Sequence, residues 1–96
     1  MKLIKENMGR YINPERYGCF ELIRKKDKSG FLLNFKTADG DNVEVASITH
    51  ERLEIKEIEQ KAFELYERLI DFLASEESGV FDLRAEYEEI FETSTK

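Results

Sequence analysis

Tryptophan is absent from this chain of 96 residues, and cysteine, histidine and proline each occur once. A lone cysteine, Cys19, excludes an intramolecular disulfide and points to a reducing cytoplasm as the expected compartment. Cys19 and His50 together cannot supply the four Cys/His donors of a structural zinc site. No apolar run approaches the roughly 18–20 residues that a membrane-spanning helix needs. Charge interrupts Met1-Lys2-Leu3-Ile4-Lys5-Glu6 at once, so no secretory-signal core is expected there. The glycines at 9, 18, 30, 40 and 79 are dispersed, each suited to a turn or bulge. Neither a P-loop nor a dinucleotide-binding fingerprint can be built from them.

Charge and apolar side chains are plentiful. Charged residues make up 38% and hydrophobic residues 41%, too apolar for a disordered chain and too charged for a membrane protein. One domain spanning 1–96 fits this length. The net charge of −6 is uneven. Residues 1–49 carry nine Lys/Arg against seven Asp/Glu, whereas residues 50–96 carry six against fourteen. Such a chain is repelled by nucleic-acid phosphates unless a basic patch is concentrated somewhere.

The pattern changes period midway. The first half, about 2–48, reads as strands and turns. Leu3 and Ile4 form a short apolar stretch ending at a turn over Asn7-Met8-Gly9. Asn13 precedes Pro14 and is pushed away from helical angles. Tyr17–Arg24 is the next strand candidate, and Lys25–Gly30 a polar connection. Phe31, Leu33 and Phe35 then alternate on one face, and Ala38-Asp39-Gly40-Asp41 carries the Asp-Gly hairpin signal before Val43 and Val45. A hairpin of Phe31–Thr37 with Asn42–Ser47 follows from these residues.

The second half has helical period. Ile55, Ile58, Ala62, Leu65, Leu69 and Phe72 share a stripe that Tyr66, Ile70 and Leu73 widen. Glu57/Lys61 and Glu64/Arg68 are i,i+4 pairs in the favourable order. The helix is expected over about Lys56–Ala74, its start lying anywhere from Thr49 to Lys56. After a break at Ser75–Gly79, a second helix is expected over about 82–92, capped by Asp82, with Val80, Leu83, Tyr87 and Ile90 on one face and Phe91 beside it. The tail Thr93–Lys96 is expected to fray. The fold class is α+β: an antiparallel meander of about four strands, one long helix packed on it and a shorter C-terminal helix.

Part of this pattern resembles short bacterial proteins, namely small flagellar-operon and swarming-motility proteins and uncharacterised relatives. The residues that carry it are Leu3-Ile4-Lys5, Gly9, Tyr11-Ile12-Asn13-Pro14, Phe20–Ile23, Phe31–Phe35, Gly40 and Val43-Glu44-Val45. The resemblance covers about the first half of the chain and implies a small β-meander with helices. It brings no catalytic residues, and the longer helix and acidic C-terminal helix depart from it.

Catalytic groups are few. The one Cys–His pair available is Cys19 with His50, and the ordinary environments for these are a buried small side chain and a surface imidazole. His50 is the one side chain suited to acid/base work near neutral pH. Hairpin geometry accounts for Asp39, Asp41 and Glu44 without a metal, and a solvated helix face accounts for Glu86, Glu88, Glu89 and Glu92. The chain is therefore expected to be no enzyme, with no cofactor, metal or small-molecule substrate. Arg24, Lys25, Lys26 and Lys28 are the only basic cluster. Joined by Lys36 they could touch phosphate weakly, yet no aromatic residues interleave with them as a stacking platform requires. Tyr87, Ile90 and Phe91 exceed what a short terminal helix needs, so they either fold back on the core or bind another subunit. The expected function is a protein-binding or regulatory module that self-associates, as a homodimer joined through Tyr87, Ile90, Phe91 and an edge strand. The alternative is an acidic inhibitor that mimics nucleic acid on a partner's basic surface.

Overall fold

The computed structural model describes residues 2–6, 9–14, 17–37 and 39–92, with Tyr17 and Gly18 described at the backbone alone. The turn expected at Asn7-Met8, the fraying at Thr93–Lys96 and the hairpin residue Ala38 lie outside the described residues. Among the described residues, six strands and two helices follow in the order β1 (Lys2–Lys5), β2 (Tyr11–Ile12), β3 (Tyr17–Arg24), β4 (Phe31–Thr37), β5 (Asn42–Ile48), α1 (Ile55–Ala74), β6 (Gly79–Asp82) and α2 (Leu83–Glu92).

The strands form two three-stranded sheets, ordered β2-β1-β6 and β3-β4-β5. This corrects the expectation of one meander of about four strands. β1 pairs antiparallel with β2 (Ile4 opposite Ile12) and parallel with β6 (Leu3 opposite Val80, Ile4 opposite Phe81). Val80, expected on one face of the second helix, thus lies in a strand that ends at the helix's expected start, Asp82. Val80 is 50% exposed, whereas Phe81 is buried.

The β3-β4-β5 sheet is the expected antiparallel hairpin set. Phe20, Leu22 and Arg24 oppose Phe35, Leu33 and Phe31, and the last three oppose Val43, Ala46 and Ile48. A bulge after Leu33 lets both Val45 and Ala46 turn inward. The first hairpin closes with Lys25 N–H donating to Gly30 C=O at 2.9 Å and Lys28 in the left-handed region. The second closes with Gly40 N–H donating to Thr37 C=O at 3.0 Å, Gly40 supplying φ of +91°.

α1 begins one residue before the expected start, with Glu54 as an extended N-cap. Ile58, Ala62, Leu65 and Leu69 are buried, as their spacing requires. Ile70, expected to widen that stripe, faces outward. The last turn is closed by Ser75, whose hydroxyl donates to Phe72 C=O at 2.7 Å, and by the Lys2 ammonium, which donates to Leu73 C=O at 2.8 Å and to Ser75 C=O. A cation there complements the negative end of the helix. Asp82 caps α2 as anticipated, its Oδ1 accepting the Arg84 and Ala85 N–H groups at 3.1 Å each.

One continuous core joins both sheets and both helices through Ile4, Phe35, Leu33, Ile48, Leu65, Leu69, Leu83 and Ile90. Arg68 on α1 clamps α2, lying 2.7 Å from Glu86, 3.2 Å from Glu89 and 3.5 Å from Glu64 of its own helix. Glu86 is the main reason its guanidinium is held above its ordinary pKa. Lys61, expected to pair with Glu57, instead donates to Ile90 C=O at 3.1 Å.

Candidate protein interface

Tyr87, Ile90 and Phe91 are turned into the chain's own core. Ile90 and Phe91 are buried, and Tyr87 stacks on Phe91 with ring centroids 4.3 Å apart while its hydroxyl donates to Thr49 C=O at 2.6 Å. Burial holds the Tyr87 phenol above its ordinary pKa. These three side chains take the first of the two placements expected of them, folding back on the core, and offer no exposed apolar patch in the single chain. The loop after β5 reaches over a terminal helix whose apolar side would otherwise stay wet.

Cys19 and His50 are kept apart. Cys19 is exposed, not buried, because β3 sends Phe20 and Leu22 inward and so sends Cys19 out. It lies on the Lys36–Asn42 row at one end of the sheet, whereas His50 follows Ile48 at the other, about 17 Å away by strand rise. His50 Nδ1 accepts Arg52 N–H at 3.1 Å and its ring stacks on Phe91 at 5.7 Å. Among the described residues no three His, Cys, Asp or Glu side chains converge as metal ligands. No described helix is long and apolar enough to cross a membrane.

The basic cluster is divided as well. Arg24 leans away from the hairpin tip, ion-pairing with Glu59 of α1 at 3.6 Å and lying 5.8 Å from the Phe31 ring centroid. Lys26 and Lys28 are exposed and Lys25 half-buried, and Asp27 sits among them. The Asp27 carboxyl is held below its ordinary pKa by hydrogen bonds from Ser29. Lys36 is at the far end of β4 and does not join the tip.

A different surface emerges from β3. Among the described residues no strand pairs with its outer edge. The Lys25–Gly30 bond makes that pair a hydrogen-bonded one, so pairing alternates back along β3. Ile23, Glu21 and Cys19 consequently exchange bonds with β4, while the N–H and C=O groups of Phe20, Leu22 and Arg24 point to the open edge. The Tyr66 hydroxyl confirms this orientation, donating to Phe20 C=O at 3.3 Å from the helix above.

α1 runs beside that edge in the opposite direction. Glu59 meets Arg24 and Tyr66 meets Phe20, so seven helical residues (about 10.5 Å) match four strand residues (about 13.5 Å). Phe63 and Ile70 follow Glu59 and Tyr66 by four residues each, about 40° further round the helix toward solvent. They are 49% and 38% exposed, and Ile23 on the opposite face of β3 is 41% exposed. An open strand edge thus runs between two apolar margins. The sequence marked neither: Phe63 lay outside the stripe, and Ile70 was counted inside it.

Comparison with known protein families, with characterised proteins and with solved structures gives no match.

Proposed function

We propose that this chain is a non-enzymatic protein-binding module whose contact surface is the outer edge of β3 and the adjoining flank of α1. The observation that carries this reading is the outward row of N–H and C=O groups on Phe20, Leu22 and Arg24, bordered by exposed Phe63 and Ile70. Strand addition supplies main-chain hydrogen bonds, and the flanking side chains supply selectivity. Edges of this kind are usually covered or guarded, because an open one recruits another chain. The acidic-mimic reading draws less support. Two carboxylates of the acidic half, Glu86 and Glu89, are engaged with Arg68 in holding α2 to α1, and a third, Glu64, braces the same guanidinium from its own helix.

Panning random peptides on the immobilised chain tests the reading. Selected peptides should be extended, should lose binding to Phe63→Asp and Ile70→Asp variants, and should slow hydrogen exchange at the Leu22 and Arg24 amides. Peptides that bind both variants undiminished and leave those amides unprotected would refute it.

A further inference from the structure

We infer that the occupant of this edge is a second copy of the chain, its β3 pairing antiparallel with β3 about a two-fold axis at Ile23. The inference rests on the reading of that edge as the contact surface.

The register follows from the side chains. A two-fold axis perpendicular to the sheet keeps outer faces together, so residues of the same parity oppose one another. An axis at Glu21 would set two glutamates opposite each other. An axis at Ile23 sets Ile23 against Ile23 of the second copy, covering a side chain that is 41% exposed in the single chain. It also sets Glu21 opposite Lys25, twice, by symmetry. Leu22 and Arg24 then oppose each other with their outward N–H and C=O groups, which gives four new backbone hydrogen bonds.

The helices fit the same operation. α1 packs on both β3 and β4, so its axis lies slightly inside the edge. With strands about 4.8 Å apart across the join, the two copies of α1 come to about 10 Å, the spacing at which helices pack. The flank facing the second copy carries Phe63 nearest the axis, where it meets Phe63 of the second copy, whereas Tyr66 lies alongside the start of the second copy's α1 and Ile70 beyond it. Charge favours this face for self-contact in a chain of net charge −6. The rows brought together hold two Glu21 carboxylates against two Lys25 ammonium groups, and two Arg24 guanidinium groups that are each paired with Glu59 of their own chain, so the contact carries no net charge, whereas joining the acidic faces of α1 or α2 would oppose like charges.

Sedimentation of the full chain and cysteine cross-linking test the proposal together. Wild type should form a dimer at micromolar concentration. Ile23→Asp and Lys25→Glu should each weaken it at least tenfold with an unchanged circular-dichroism spectrum, and Glu21→Lys combined with Lys25→Glu should restore it. On mild oxidation a Cys19→Ser/Ile23→Cys variant should link into a covalent dimer faster than Cys19→Ser/Ser47→Cys, whose new thiol lies at the far edge of the sheet. A wild-type monomer at high micromolar concentration overturns the second copy as occupant and leaves the edge to the peptide experiment. A dimer that neither links through residue 23 nor responds to Ile23→Asp overturns both the proposed pairing and the edge as contact surface.

Discussion

Gly30→Ala should be among the most damaging single-methyl additions this fold can receive. A Cβ on Gly30 would stand 2.1 Å from Ile48 C=O and 2.8 Å from the Thr49 methyl. Ordinary carbon–oxygen contacts begin near 3.3 Å, so the Ile48 carbonyl would have to retreat by about 1 Å. It cannot do so cheaply. Ile48 is fully buried, pairs with Phe31 and is anchored in the core that Leu65 and Leu69 share. Overpacking against a fixed wall costs about 1–3 kcal/mol, and a displaced strand end falls at the upper part of that range. Each kcal/mol lowers Tm by about 4–8 °C in a domain of this size, so a loss of about 10–20 °C is expected. Gly40→Ala is the control. Nothing lies within 4 Å of a Cβ there, and only the φ of +91° opposes the substitution. That strain should cost about 1 kcal/mol. Thermal unfolding followed by circular dichroism measures both. Equal losses in the two variants, or a Gly30→Ala loss under about 3 °C, would refute the claim that close approach to Ile48, not turn conformation, selects glycine at position 30.

Three further outcomes follow from burial and hydrogen bonding. Phe91→Asp places a carboxylate at a buried site and should cost at least about 3 kcal/mol in urea unfolding, whereas Phe63→Asp, at an exposed site, should change stability by less than about 0.5 kcal/mol. Tyr87→Phe removes the hydroxyl bond to Thr49 C=O and should cost about 1 kcal/mol. Because burial raises the folded-state pKa of Tyr87 above its ordinary 10.0, its contribution is fully present below that pH and declines as pH rises beyond it. Wild type should therefore lose stability more steeply than Tyr87→Phe in alkaline solution, and parallel curves would contradict the assignment. Arg10→Ala removes a two-pronged contact, at 2.9 Å to each carboxylate oxygen, from the buried Glu6 and should cost about 2 kcal/mol, with the loss reduced when Glu6→Gln is added in a double-mutant cycle.

Local pattern was enough for the elements whose partners are close in sequence. The Asp39-Gly40 turn and the alternation of Phe31, Leu33 and Phe35 located the β4–β5 hairpin, because a two-stranded unit is closed by its own turn. The spacing of Ile58, Ala62, Leu65 and Leu69 located α1, and Asp82 located the start of α2. β6 was invisible for a physical reason. Its four residues are stabilised by a strand more than seventy positions earlier, and Val80 and Phe81 fit a helix face as readily as a short parallel strand. The same limit governed the candidate site. Whether Tyr87, Ile90 and Phe91 meet the core or a partner depends on where Thr49 and His50 run, which no periodicity of α2 contains. Ile70 shows the converse: its spacing admits it to the stripe, yet its direction lies on the margin where α1 passes the edge of β3.

The missed strand and the unexpected surface have one origin. In a four-stranded meander the Leu3–Ile4 strand would sit in the same sheet as β3, and the chain's supply of strands would leave fewer edges. Here β6 draws β1 into a separate parallel pairing, and β2 follows as its antiparallel neighbour. β3 is left at a margin, its N-terminal end distorted by a register shift between Tyr17 and Cys19 and its C-terminal end followed by Lys25 and Lys26. Bulges and lysines are the usual guards of an open edge, and here they flank it without interrupting Phe20–Arg24. The unguarded middle is also where α1 turns Phe63 toward solvent and where the Tyr66 hydroxyl reaches an edge carbonyl. A segment this short gives few hydrogen bonds, so strand pairing alone would bind weakly. The helix flank adds exposed apolar surface beside it, which is why the proposed contact runs along β3 instead of on the acidic face of the helices.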